Sequence, residues 1–238
     1  MTFKEEMEKA AVIGGIKLNN RQIDKFADYY NLLIESNKVM NLTAITNPKE
    51  VAIKHFIDSL AAYDEKVFKD KRTVIDVGSG AGFPGLPLKI YDEELCVTLL
   101  DSLGKRISFL EKVVDELQLK GIGCVKARAE DAAHDEKMRE KFAIATARAV
   151  APLNVLTEYV LPFVKVGGTM IALKGKKAEE ETNQAVNAIS VLGGEITDKK
   201  AVKLPEMEDE RYIVTIKKII STPNKYPRRA GAPLKRPL

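Results

Sequence analysis

Asp76 stands two residues before a cluster of glycines, and this is the pattern of greatest chemical content in the chain. The run reads Thr73-Val74-Ile75-Asp76-Val77-Gly78-Ser79-Gly80-Ala81-Gly82-Phe83-Pro84-Gly85. A short β-branched stretch ends in closely spaced glycines and then opens a helix at a proline. Glycines permit φ > 0 and let a ligand approach main-chain N–H groups with no Cβ in the way. A strand, such a loop and a helix in succession is how open α/β sheets hold nucleotide-like ligands.

Two ligand classes compete for this loop. Gly80 to Gly85 satisfies G-x-G-x-x-G, the dinucleotide fingerprint. Gly78 to Gly82 satisfies the G-x-G-x-G loop of enzymes that use S-adenosylmethionine. Asp76 separates them. A carboxylate at the end of the strand repels a dinucleotide's pyrophosphate, whereas S-adenosylmethionine brings an ammonium and a sulfonium. The N-terminus of the following helix, carrying roughly half a positive charge, is then expected to take the methionine carboxylate. The methyl donor is favoured; the bland reading of Asp76 is a cap for the loop.

The next strand, Leu95 to Leu100, ends in Asp101, at the spacing where an acidic residue accepts both ribose hydroxyls. Asp101 also precedes an amphipathic run from Arg106 to Leu117, so an N-capping role is open beside the ribose one. A third strand, Ile122 to Ala127, leads into Arg128-Ala129-Glu130-Asp131, where Glu130 or Asp131 is placed to meet the adenine amino group.

The fourth strand, Phe142 to Ala147, runs into Arg148-Ala149-Val150-Ala151-Pro152. It lacks the Asn/Asp-Pro-Pro-aromatic run of enzymes that methylate exocyclic amines. Cys96 and Cys124 fall inside strand patterns, not in a loop where a pyrimidine C5 enzyme needs its nucleophile. An acceptor that needs little help remains, and guanine N7 fits, since its lone pair is free and positioning suffices. Arg148 at the mouth of the site is assigned to the cofactor carboxylate, guanine O6 or a phosphate. It cannot grip O6 and N7 together, because that would occupy the attacking lone pair.

The elements that must position these residues follow from periodicity. Up to residue 72 the pattern is helical. Asn19-Asn20 caps a stripe at Ile23, Phe26, Ala27, Tyr30, Leu33 and Ile34, Asn41 to Thr46 breaks it, and Pro48 starts another helix through Ala61. His55, Asp58 and Ser59 are expected to share a face of that second helix, as surface polars or as part of a site. From Thr73 strands alternate with helices, which predicts βαβ units and a parallel sheet. Two last runs, Glu195–Leu204 and Arg211–Ile220, have no helix between them and are expected to pair antiparallel.

Composition bounds the rest. The 238 residues suffice for one large domain with appended pieces, 30% are charged, and no apolar run approaches the ~20 residues of a membrane span. Two cysteines, expected to be buried thiols, suit a reducing cytoplasm, and two distant histidines give no metal cluster. The formal net charge is +4, yet Arg211 to Leu238 holds eight Lys/Arg and no Asp/Glu, so the rest of the chain is net acidic. A basic end implies a polyanionic partner. Pro223, Pro227, Pro233 and Pro237 predict that the last segment is extended, neither strand nor helix.

Several motifs in order resemble the glucose-inhibited division protein B family of bacterial 16S ribosomal RNA (guanine-N7) methyltransferases. They are Asn41-Leu42-Thr43, His55-Phe56-x-Asp58-Ser59, Asp76 to Pro87, Asp101-Ser102-x-x-Lys105-Arg106, Arg128-Ala129-Glu130, Ala147 to Leu153, Leu173-Lys174-Gly175 and Tyr226 to Leu238. Thr146 departs from the serine more usual there. The resemblance implies a class I S-adenosylmethionine-dependent methyltransferase fold, α/β with a mostly parallel seven-stranded sheet. It implies a helical extension over 1–72, a core over 73–222 and a basic tail over 223–238. It implies methyl transfer to guanine N7 in the 530 loop, with 16S ribosomal RNA or the small subunit particle as partner and no obligate protein partner, metal or membrane. Arg148 is then the catalytic candidate. Asp76, Gly78, Gly80, Gly82, Phe83, Asp101, Ala129, Glu130 and Arg148 are cofactor candidates, and Lys174, Arg228, Arg229, Lys235 and Arg236 are RNA candidates. A tail that folds back to brace the cofactor pocket is the alternative for the last four. Rival readings are an oxidoreductase of NAD type, which Asp76 opposes, and an RNA-binding protein of this fold without turnover.

Overall fold

The computed structural model describes residues 1–70, 72–208 and 210–238. The N-terminal part holds α1 (Phe3–Ile13) and α2 (Asn20–Met40), each opened by a capping box, Thr2 with Glu5 and Asn19 with Gln22. Asn41 at φ 50° ends α2. Pro48 starts α3 (Pro48–Val51), which continues through a π-helical stretch, Ala52–Ile57, into α4 (Asp58–Leu60). A short α5 (Glu65–Phe68) leads to the sheet.

The sheet follows as β1 (Thr73–Val77), α6 (Gly85–Tyr91), β2 (Cys96–Asp101), α7 (Gly104–Glu116), β3 (Ile122–Lys126), α8 (Ala129–Ala132), β4 (Phe142–Arg148), α9 (Leu153–Val160), β5 (Val164–Lys174), α10 (Ala178–Val191), β6 (Gly194–Lys203) and β7 (Glu210–Lys218). Its seven strands are ordered β3-β2-β1-β4-β5-β7-β6, with β7 antiparallel to both β5 and β6. The chain thus reverses its direction of travel between β1 and β4, and open α/β sheets form their crevice at such a point.

Alternation along the strands decides which side chain faces which layer. On β1, Val74 joins the core beneath the N-terminal helices, α6 and α7, whereas Ile75 and Val77 face the layer of α9 and α10. On β4, Ile144 lies on the first face and Ala145 and Ala147 on the second. Asp76, Thr146 and Arg148 therefore point toward the N-terminal helices.

Two expectations are corrected. The C-terminal segment is not an extended strand of charge: it folds onto the body and carries α11 (Ala232–Lys235), with Gly231 at φ 78° before it and Pro233 inside its first turn. Proline has no N–H to lose there, so it fits the start of a helix. The cysteines are not both buried, since Cys96 is exposed and Cys124 half-buried, on strands near the sheet edge. Among the described residues, no helix is long and apolar enough to cross a membrane, and no group of His, Cys, Asp and Glu could hold a metal ion.

Candidate active site

Two cavities lie side by side over the C-terminal ends of the parallel strands and share Ala149 and Val150. The smaller, about 290 Å³, is walled by Gly78, Asp101, Ala129, Glu130 and Tyr159 among others. The larger, about 580 Å³, is walled by Lys54, His55, Asp58, Arg148, Lys174 and Arg211 with the Ala149–Pro152 segment. Ala149 sits at φ 55°, uncommon for a residue with a Cβ, at the junction of the two.

Loop geometry shapes the smaller cavity. Gly78 has φ 73°, and a Cβ there would lie 2.7 Å from Val150 Cγ2. Gly82, at φ 100°, is crowded instead by Leu86 and Tyr29. The Tyr29 hydroxyl donates to the Ala81 carbonyl, fastening the loop to α2. Asp101 knits the site together: Oδ2 accepts from Gly80 N at 2.9 Å and from Arg106 Nη1 at 3.2 Å, and Oδ1 accepts from Leu103 N at 2.9 Å. Asp101 thus lines the cavity, whereas the expected N-cap role is not met: Leu103 holds the N-cap position of α7, no side chain caps that helix, and the Leu103 amide lies outside it. Of the two acidic candidates after β3, buried Glu130 lines the cavity and Asp131 is exposed to solvent.

Asp76 does not face the crevice. It is fully buried, with Oδ1 accepting from Thr146 Oγ1 at 3.0 Å and Oδ2 from Gly85 N at 3.1 Å. Burial pushes its carboxyl up to about 6, against these hydrogen bonds. It ties the loop to β4 and covers the first amide of α6, so that helix start is closed to a ligand carboxylate. Phe83 also lies in the interior, its ring 4.7 Å from His55 and 5.4 Å from Tyr29.

The larger cavity is built from residues far apart in sequence. Arg148 Nη1 donates to Asp58 Oδ2 at 2.8 Å and to the Lys54 carbonyl at 3.0 Å, and the guanidinium sits 4.9 Å above the Phe83 ring. Arg211 Nε approaches Asp58 Oδ1 at 3.4 Å. Arg148 Nη2 is 3.4 Å from His55 Nδ1, and the Thr43 hydroxyl is 2.8 Å from Nε2. Burial and the Arg148 charge pull His55 down to about 4, so it is neutral near pH 7. Asn37 fixes Thr43 in turn by accepting from the Leu42 and Thr43 amides at 2.6 and 2.9 Å. His55 and Asp58 share the face their spacing predicts, but Ser59 turns away and donates to the His55 carbonyl at 2.5 Å. Lys174 donates to the Ala151 carbonyl at 2.7 Å and pairs with Glu181 at 2.7 Å, holding the segment between the cavities. Lys54, Tyr159 and Arg211 carry no motif of their own, and sequence reasoning misses them; Val150 falls within the Ala147 to Leu153 motif but has no role assigned to it there.

The tail residues divide. Arg229, Lys235 and Arg236 are exposed. Arg228, expected to meet RNA, instead clasps the buried Glu158 with Nε to Oε1 at 2.9 Å and Nη2 to Oε2 at 2.7 Å.

Comparison with known proteins follows the same lines. Residues 22–212 match the family GidB, described as rRNA small subunit methyltransferase G. A ribosomal RNA small subunit methyltransferase G of Lactobacillus johnsonii is 50% identical, over 99% of this chain and 98% of its own length. One from Thermoanaerobacter sp. (strain X514) is 51% identical over 94% of this chain and 93% of its own. Among solved structures, the ribosomal protein L11 methylase of Lactobacillus delbrueckii shares the fold at a TM-score of 0.53 and 15% identity, covering 70% of this chain and 79% of that one. TYW2 of M. jannaschii, crystallised with AdoMet, does so at 0.50 and 14%, covering 67% and 74%.

Proposed function

The chain belongs to the rRNA small subunit methyltransferase G family, and we propose that it moves a methyl group from S-adenosylmethionine to N7 of a guanine in the 530 loop of 16S ribosomal RNA. The observation that carries this reading is the pair of adjoining cavities meeting at Ala149 and Val150, one where Asp101 and Glu130 stand with Arg106 and Arg128 beside a glycine edge, the other where Lys54, Arg148, Lys174 and Arg211 outnumber Asp58 and Glu181. The donor's adenosine end belongs in the smaller cavity, where Asp101 faces hydroxyl donors and Glu130 an amino donor. Gly78 fits this, because its missing Cβ is what leaves room beside Val150. The methionyl end and the acceptor base belong in the larger cavity, where Arg148, held by Asp58 and the Lys54 carbonyl, is a fixed cation for a carboxylate or a phosphate.

When bound, the donor supplies a methyl group on a positively charged sulfur, open to in-line attack. Guanine N7 presents a lone pair and releases no proton, so the chain's part is positioning and exclusion of water. The groups at hand agree with this: His55 is too weak a base near neutrality to act as a proton acceptor. Arg148 is held by Asp58 and the Lys54 carbonyl at a fixed place on the Phe83 ring, so its charge is pre-oriented toward the cavity.

Small subunit particles or 16S RNA lacking the modification, incubated with S-adenosylmethionine, test the reading. Borohydride reduction and aniline treatment cleave RNA at N7-methylguanine, and one new cleavage is expected, in the 530 loop. Methylation at an amine or a carbon, or binding of RNA with no methyl transfer, overturns it.

A further inference from the structure

The C-terminal tail reaches the wall of the smaller cavity through Glu130. Gly231 N donates to Glu130 Oε1 at 3.0 Å, across 101 residues of sequence. Glu130 is buried and lines the cavity, so one end of the tail fixes a carboxylate that the ligand would meet. The tail's approach is itself anchored on both sides. Arg228 makes a fork of hydrogen bonds to Glu158, whose side chain is 1% exposed, and its backbone amide donates to the same carboxylate at 2.7 Å. Glu158 adjoins Tyr159, another residue of the cavity wall. On the other side the His134 ring is 2.8 Å from the Pro227 carbonyl, and Arg139 donates to the carbonyls of Thr222 and Tyr226 at 2.8 Å. A bidentate, charge-assisted pair fixes direction as well as distance.

We propose that the tail is part of the cofactor site: Arg228 and Gly231 are positioning residues that hold Glu130 for the adenine amino group and so set the preference for an adenosyl over an inosyl ligand. This rests on the reading that the smaller cavity takes the adenosine end. The physical reason is one of freedom. A glutamate side chain ordered only on ligand binding gives up rotamer entropy at that moment, whereas one already fixed by a backbone N–H does not. Loss of the preset carboxylate penalises the ligand that donates a hydrogen bond at the 6-position more than the one that carries an oxygen there. Coupling is reciprocal, so the ligand must also stabilise the docked tail.

The test uses the full chain and two ligands, S-adenosylhomocysteine and S-inosylhomocysteine, with affinities measured by calorimetry. The unmodified protein is expected to prefer the adenosyl ligand by at least tenfold. Arg228→Gln is expected to weaken adenosyl binding about tenfold and bring the ratio within about threefold of unity, with Arg228→Lys recovering part of it. Hydrogen exchange of the unmodified protein gives a second readout that needs no variant: amides of 226–232 are expected to slow about tenfold when S-adenosylhomocysteine binds. An unchanged ratio in folded Arg228→Gln, or tail amides indifferent to the ligand, overturns the proposal. Asp101→Asn and Glu130→Gln separate its failure from that of the underlying reading. If both variants bind S-adenosylhomocysteine as the unmodified protein does, the cavity assignment itself is wrong and the proposal falls with it. If they weaken binding while the tail variants do not, only the tail's part is refuted.

Discussion

The two cavities share a wall but are built in opposite ways. The smaller one is made by loops that leave neighbouring strand ends, and its geometry is carried by hydrogen bonds to main-chain groups: Asp101 to Gly80 and Leu103, and Glu130 to Gly231. The larger one is held by side-chain contacts, Arg148 of β4 to Asp58 of the N-terminal helices across 90 residues and, within the N-terminal part, His55 to Thr43 across 12. Backbone-fixed sites tolerate little in the way of added volume, while sites fixed by an ion pair are sensitive to loss of either partner. The cavity assigned to the donor is thus rigid by its loop, and the cavity assigned to the acceptor depends on the docking of the helical extension.

The largest effect expected from this contrast is at Gly78. A valine there both adds a Cβ at 2.7 Å from Val150 and forces a β-branched residue to φ 73°, so S-adenosylhomocysteine binding should fall below detection in calorimetry. Gly80→Ala meets nothing closer than the Gly78 carbonyl at 3.9 Å, and should cost only the left-handed backbone strain, about 1 to 2 kcal/mol. Equal losses at the two positions would contradict a donor cavity set by space beside Val150.

Next comes the Arg148–Asp58 pair, with side chains 15% and 5% exposed. Asp58→Ala takes the carboxylate partner from the mostly buried Arg148 and from Arg211, and should lower stability to denaturant by about 3 kcal/mol, whereas Arg148→Ala leaves Asp58 still paired with Arg211 and should cost less. Arg148→Ala and Asp58→Ala should each slow single-turnover methylation by at least about tenfold, with a coupling of about 1 to 3 kcal/mol in a double-mutant cycle. Additive effects would show that Arg148 works without Asp58.

Acid should act on the larger cavity through His55. Its folded value near 4 lies below the ordinary 6.5, so the unfolded chain takes up a proton between these values and the folded one does not. Stability therefore falls as pH drops from about 6.5 to 4, by a few kcal/mol at most. Asp76, raised from 3.8 to about 6, works the other way: the folded protein gains the proton first, and stability rises as pH falls through that window. His55→Asn should thus make the protein relatively more stable at pH 4.5 than at pH 7, and Asp76→Asn the reverse, by denaturant titration at the two pH values. Profiles parallel to the unmodified protein's would refute both assignments.

The smallest expected effect belongs to the tail's exposed cations. Changing Arg229, Lys235 and Arg236 to glutamine should reduce the log–log salt slope of RNA binding by up to about 2 to 3, at roughly 0.7 to 0.9 for each phosphate contact. Arg228→Gln should leave that slope alone, since its charge is already spent on Glu158. A slope change in the second case alone would reverse the division of labour within the tail.

Much of the fold was legible because the signals are local. The β-branched runs ended by glycine at Gly78 and by Asp101, the cap at Asn19, the helix start at Pro48, and the helix-free step between the last two strands each report short-range sterics and hydrogen bonding. The tail was misread as extended because proline frequency speaks for the backbone of an isolated segment. It says nothing of a buried glutamate waiting for Arg228.

The sequence by itself determined the order of strands and helices, the position of the glycine loop at the end of β1, and the residue types gathered at the strand ends. It did so because strand alternation and glycine backbone freedom act over a few residues. Tertiary structure alone decided that Asp76 turns inward to Thr146 and Gly85 while Asp101 stays at the cavity wall. It decided likewise that Asp58 meets Arg148 and that Arg228 serves Glu158. These outcomes depend on which layer covers each face of the sheet, and a buried charge takes whatever partner that packing brings within reach.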